Sequence, residues 1–238
     1  MRHRATPLPM GAFPTTRWTL ILAAKQSPEA RAEAWRHLLT TYWPSLFALF
    51  RARGLDAAAA SDAVQGLAVE LLERDVVQDL SPERGRLRGF LKVAAENFLM
   101  RQHERATAAK RGGNARPIEL DLALGERLAD ASLAPDAAYE RAWALSVFER
   151  AMAALEKEWA QRAGDFELVR TFFSPTTAPP SYREAAEQYK VSIPQLKSLL
   201  HRARLRFRQL VEAQVAETVE DGAALAPEVT SLLESLGT

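Results

Sequence analysis

Apolar residues recur along most of the chain at spacings of three and four, the period of an amphipathic helix, and no alternating strand pattern of useful length appears. Ala and Leu are abundant while β-branched residues are sparse, which favours helix further. Thr16 predicts the cap of a short helix carrying Trp18, Ile21 and Leu22. Ser27 followed by Pro28 pairs an N-cap with proline at the first helical position. The helix that starts there carries Trp35, Leu38, Leu39 and Tyr42, and Pro44 is expected to break it or begin a new one. Leu46, Phe47, Leu49 and Phe50 continue the apolar face up to Gly54. A further helix is predicted from Asp56 to about Asp75, with Val64, Leu67, Leu71 and Leu72 inward.

A turn at 81–85 leads into a basic helix with the stripe Leu87, Phe90, Leu91, Ala94 and Phe98. Beyond Leu99, Arg101 and Arg105 take the angular positions of the stripe, so the helix is expected to outrun its own core. Cations also suit a helix C-terminus through the macrodipole. Gly112, Gly113, Asn114, Pro117 and Pro135 predict an acidic linker over 112–138. A second helical domain is expected over 139–219, with a helix from Trp143 to Trp159, a shorter one around Phe166 to Phe173, and a turn at Pro175, Pro179 and Pro180. Residues 220–238 are acidic and read as a short appended helix or a tail, and 1–16 as a disordered N-terminus.

The densest local signal lies between Ser181 and Val211. Ser181 with Glu184, and Ser192 with Gln195, form two capping boxes around the short turn Lys190-Val191-Ser192. Two helices with coded starts and so short a turn make a helix-turn-helix, whose second helix can enter the major groove. In that second helix Ile193, Leu196, Leu200, Ala203, Phe207 and Leu210 are expected to form the buried face. At ~100° per residue, Lys197, His201, Arg204 and Arg208 fall on another, with Arg202 and Arg206 behind. Such a face suits phosphates and guanine edges.

Charge sharpens this picture. The formal net charge of +1 hides segregation: basic residues collect in 84–111 and 197–208, acidic ones in the expected linker and at the C-terminus. Two basic blocks suggest two surfaces facing a polyanion. The absence of cysteine excludes disulfides and thiolate metal sites. No apolar stretch is long enough to span a bilayer, and Pro7, Pro9, Gly11 and Pro14 interrupt any export signal. A cytoplasmic chain is therefore expected. His3, His37, His103 and His201 have no metal-ligand spacing, and no phosphate loop or nucleophile motif occurs. Neither an enzyme, a cofactor, a metal nor a small-molecule substrate is expected.

The segment Ser181-Tyr-Arg-Glu-Ala-Ala-Glu, then Val191-Ser192, Leu196-Lys197-Ser198 and His201-Arg202-Ala203-Arg204, closely resembles the DNA-reading C-terminal domain of extracytoplasmic-function sigma factors of the sigma-70 superfamily. The run from Pro82 to Leu91 and Lys110-Arg111-Gly112-Gly113 resembles that family's segment reading the −10 element, and Phe13 to Trp18 resembles the start of one of its subgroups. The resemblance spans about residues 13–218. It implies an all-α fold of two helical domains, a region 2-like bundle over 17–111 and a region 4-like helix-turn-helix domain over 139–219, joined by a flexible linker.

By the same resemblance, Asp62, Gln65 and Leu67 would bind core RNA polymerase, and Arg86, Arg88, Lys92, Asn97, Arg101 and Arg105 would serve the −10 element. Ser192, Gln195, Lys197, Ser198, His201, Arg202, Arg204 and Arg208 would face the −35 duplex. Phe90 and Phe98 suit base stacking, though their place on the apolar stripe favours core packing. The implied partners are core polymerase and promoter DNA, with room for an anti-sigma protein, and the free chain is expected to be a monomer. The acidic linker either mimics nucleic acid in the polymerase channel or is a plain tether.

The sequence departs from the family at Ala59, Ser61 and Gly66, where more acid is usual, at Lys190, where the turn commonly has glycine, and at Leu199, usually basic. The rival readings are a stand-alone helix-turn-helix regulator and a degenerate, inhibitory sigma-like protein.

Overall fold

A computed structural model describes residues 25, 27–74, 87–108, 122–173, 178–216, 227, 229, 230 and 232. Among them all regular structure is helical, so the all-α expectation holds. The expected helix after Thr16 and the turn at 81–85 lie outside the described residues.

Helix α1 spans Pro28–Ala52. It starts as its sequence dictates, with Ser27 Oγ accepting the Ala30 N–H at 3.1 Å. Pro44 does not break it. Proline removes one helical donor, yet every residue from Thr41 to Phe50 is buried. A helix packed on all sides is held by its neighbours rather than by propensity alone. Gly54, at φ +93°, reverses the chain, and Asp56 caps α2, Ala57–Glu73, by accepting the Ala59 N–H at 2.8 Å. Helix α3 spans Leu87–Ala108 and does run on past its stripe. Phe98 is buried in the core and Phe90 packs against it, so packing, not stacking on bases, occupies both rings here. Gly66 is explained by the same contact. A Cβ there would lie 2.8 Å from Phe98 Cζ, so the helix gives up propensity to admit the ring.

The expected linker is partly helical. Residues 109–121 lie outside the described residues, but α4 spans Leu122–Leu128 and packs on α1. There a Cβ on Gly125 would meet the Trp43 ring at 2.3 Å. Helix α5 spans Pro135–Glu158, so Pro135 is a helix start at the first position rather than a linker residue. A 3₁₀ turn, Ala160–Arg162, leads to α6, Ala163–Arg170. Helices α7, Tyr182–Gln188, and α8, Ile193–Ala216, follow.

Two cores result, and their boundary is not at the expected linker. The first gathers α1, α2, α3, Leu128, α5 as far as Ala151, Val211 and Val215 of α8, and Leu232 of the acidic extension. The second gathers Met152 and Leu155 with α6, Ala185 and Ala186 of α7, and Leu196, Leu199, Leu200 and Ala203 of α8. Helices α5 and α8 pass through both. Phe148 and Phe207 meet edge-to-face at the seam, their centroids 5.2 Å apart. The N-terminal half of α5 is thus an integral part of the first core, with Tyr139, Ala142 and Trp143 fully buried against α1 and α3.

Candidate nucleic-acid interface

The helix-turn-helix unit is built by local hydrogen bonds that the sequence encodes. At the start of α7 the Glu184 N–H donates to Ser181 Oγ at 3.2 Å and the Ser181 N–H donates to Glu184 Oε2 at 2.9 Å. These bonds hold the Glu184 carboxyl below the usual carboxylate range. The helix ends in a Schellman turn: the Val191 N–H donates to the Ala186 carbonyl at 3.0 Å and the Lys190 N–H to that of Glu187 at 3.4 Å. Lys190 occupies the left-handed position at φ 54° where glycine is usual, a strain of about 1–2 kcal/mol. Helix α8 opens on the second box, with the Ser192 N–H donating to Gln195 Oε1 at 2.9 Å and the Gln195 N–H to Ser192 Oγ at 3.4 Å.

On α8, Leu196, Leu200 and Ala203 are buried as expected, and so is Leu199, whose departure from the usual basic residue thereby serves the core. Ile193 is a correction: it is 41% exposed, standing at the first helical position and outside the second core. Lys197, Ser198, His201, Arg202, Arg204 and Arg208 are all exposed, as are Ser192 and Gln195. Among the described residues no carboxylate pairs with Lys197, His201, Arg202 or Arg204, nor with Arg183 on α7 and Lys190 in the turn. Arg206 is different. Its guanidinium bonds both Glu158 oxygens of α5, at 2.5 and 2.7 Å, which also lowers the Glu158 pKa. Arg208 bonds Glu212 one turn on, at 2.9 Å.

Tyr182 borders the face, and sequence reasoning did not single it out; Arg183 on α7 and Lys190 in the turn are exposed as well. Arg183 lies within α7, and the sequence marks Lys190 as the turn residue that stands where glycine is usual. Tyr182 is found only in the structure, its ring stacked on Phe172 at 5.7 Å with Lys197 Nζ 5.8 Å from its centroid.

The residues expected to serve the −10 element are arranged otherwise. Arg86 and the Arg105 side chain lie outside the description. Arg88 is buried, its guanidinium 4.0 Å above the Trp143 ring and 3.1 Å from Glu140. The Tyr139 hydroxyl donates to the Arg88 carbonyl at 3.0 Å, and burial pushes the Tyr139 pKa up. Lys92 pairs with Asp136 at 3.1 Å, and Arg101 bonds Glu70. Only Asn97 of the four described is exposed without an ion pair. The physical reason is that Asp136, read from sequence as a linker acid, and Glu140, read as part of the second domain, sit on the first turns of α5 and pair with α3. Of the polymerase set, Asp62 is exposed and Gln65 half-buried, but Leu67 points into the first core and offers no surface.

No family model, curated protein or solved structure matches this chain. Among the described residues no His, Asp and Glu cluster could hold a metal, and no helix is long and apolar enough to cross a membrane.

Proposed function

We propose that this chain is a sigma-type transcription initiation factor of the extracytoplasmic-function kind: a cytoplasmic, non-enzymatic protein that binds core RNA polymerase and directs it to promoters. The observation that carries the reading is the outer face of α8. There Lys197, His201, Arg202 and Arg204, free of carboxylates among the described residues, follow a doubly capped start on a two-helix unit. A recognition helix with donors on one side and a packed core on the other is what major-groove reading requires.

In this reading the two halves act on separate promoter elements, and the body described above is the chain before polymerase engages it. Arg88 and Lys92 would then become available only when Glu140 and Asp136 withdraw. The withdrawal is costly. Tyr139 and Trp143 together hide about 300–500 Å², about 8–12 kcal/mol at ~25 cal/mol per Å². A polymerase interface of ordinary size has to offset that.

The continuous first core also favours a second reading. If α5 never leaves α1 and α3, the chain is a helix-turn-helix regulator, or an inhibitory sigma-like protein, that works as one body. Because the chain has no cysteine, His103→Cys and Gln188→Cys allow clean paired spin labelling on the two halves. The sigma reading expects the inter-label distance to lengthen when core polymerase is added. An unchanged distance, with no promoter-directed transcript, establishes the second reading instead.

A further inference from the structure

We infer that Ile193 and Tyr182 form an apolar edge that reads thymine methyl groups beside the basic face of α8; this rests on the proposal that α8 reads duplex DNA. Ile193 is 41% and Tyr182 38% exposed, the first at the opening of α8 and the second at the opening of α7. Lys197 joins them: it lies one turn from Ile193 on the same side of α8, and its ammonium is 5.8 Å from the Tyr182 centroid. Two large side chains are therefore left partly exposed next to a cation that has no carboxylate partner among the described residues.

Neither side chain belongs to the second core. Ile193, 41% exposed, forgoes part of its burial energy, and the second core closes without it. Nor is the edge loose. The Tyr182 ring lies nearly parallel to Phe172, at 19° and 5.7 Å, so its exposed face is fixed. In helix-turn-helix docking the first residues of the second helix reach base edges, and the one apolar group in the major groove is the thymine C5-methyl. Ile193 stands at that first position and Lys197 one turn on, so the edge suits a thymine next to a base pair or phosphate bound by Lys197. Guanine or cytosine at the same place presents only hydrogen-bonding groups, which Ile193 cannot satisfy.

The test uses the full chain and a duplex selected by it from a randomised pool. Each thymine is replaced in turn by deoxyuridine, which removes only the methyl, and affinity is read by fluorescence anisotropy. At one or two positions the loss is expected to be about fourfold per methyl. Ile193→Ala and Tyr182→Ala should each abolish one of these effects, whereas Ile193→Val and Tyr182→Phe, which keep an apolar contact, should retain it. A selected site with no methyl dependence, or the same dependence in Ile193→Ala and Tyr182→Ala as in the parent, overturns the inference while leaving α8 a DNA reader. If no duplex is enriched, the DNA-reading proposal itself falls.

Discussion

Three arginines within five residues of α8 should respond to truncation in three different ways, because their partners differ. Arg204 has no carboxylate among the described residues, Arg206 grips Glu158 of α5 with two bonds, and Arg208 shares one bond with Glu212. If Arg204 contacts a phosphate, Arg204→Ala removes one released counterion and lowers the slope of log K against log salt by about 0.9. Over a fourfold rise in salt, the parent then loses about 3.5 times more affinity than the variant. Arg206→Ala should leave the slope unchanged. Its pair is partly exposed, so its loss costs only about 0.2–1 kcal/mol of stability.

Arg208 must leave Glu212 to reach DNA. The exposed i,i+4 pair is worth about 0.3–0.5 kcal/mol, so Glu212→Gln should strengthen DNA binding about twofold. The assay is anisotropy titration of a selected duplex across a salt series, with urea unfolding of each variant alongside. Equal slopes for the Arg204 and Arg206 variants would refute the assignment of faces.

Gly66→Ala would ordinarily stabilise a helix, but here the new methyl meets Phe98 at 2.8 Å; a net loss of about 1–3 kcal/mol in urea unfolding is expected. Lys190→Gly should stabilise by about 0.5–1 kcal/mol, the left-handed strain of about 1–2 kcal/mol less the entropic cost of glycine. Trp143→Ala should cost about 3–5 kcal/mol. Since α5 and α8 run through both cores, hydrogen exchange should quicken in α2 and α7 together; a change confined to α2 would show the cores to be independent. Glu158 has a folded pKa below its unfolded value, so its contribution is present at neutral pH and lost as pH falls through the lowered value. Glu158→Gln should remove that part of the acid-side decline in stability, measured by unfolding between neutral and acid pH.

Much of the fold is local chemistry and could be read directly. The starts at Ser27, Asp56, Ser181 and Ser192 are each fixed by a side chain bonding a backbone group three residues on. The outward face of α8 followed from its period. Nonlocal packing was not legible. Pro44 sits in an unbroken helix because the whole segment is enclosed, and enclosure has no signature one residue at a time. Pro135 reads equally as a breaker and as a first helical residue, and Ala134 before it offers no capping side chain to decide. The linker was therefore drawn over the start of α5. Asp136 was thereby assigned to the linker and Glu140 to a separate domain, which hid their pairing with Lys92 and Arg88, contacts between residues far apart in the chain. Ile193 was placed inside by its period, but a helix's first residue often has no neighbour to cover it.

The central claim is initiation, and the most direct measurement is transcription in vitro by core polymerase, with and without this chain, on a pool of random promoter fragments. The account predicts transcripts that start at a shared pair of spaced motifs only when the chain is present, and that are lost with Arg204→Ala or Asp62→Ala. Absence of any such transcript, in a preparation where the chain binds duplex DNA and leaves polymerase untouched, would contradict it.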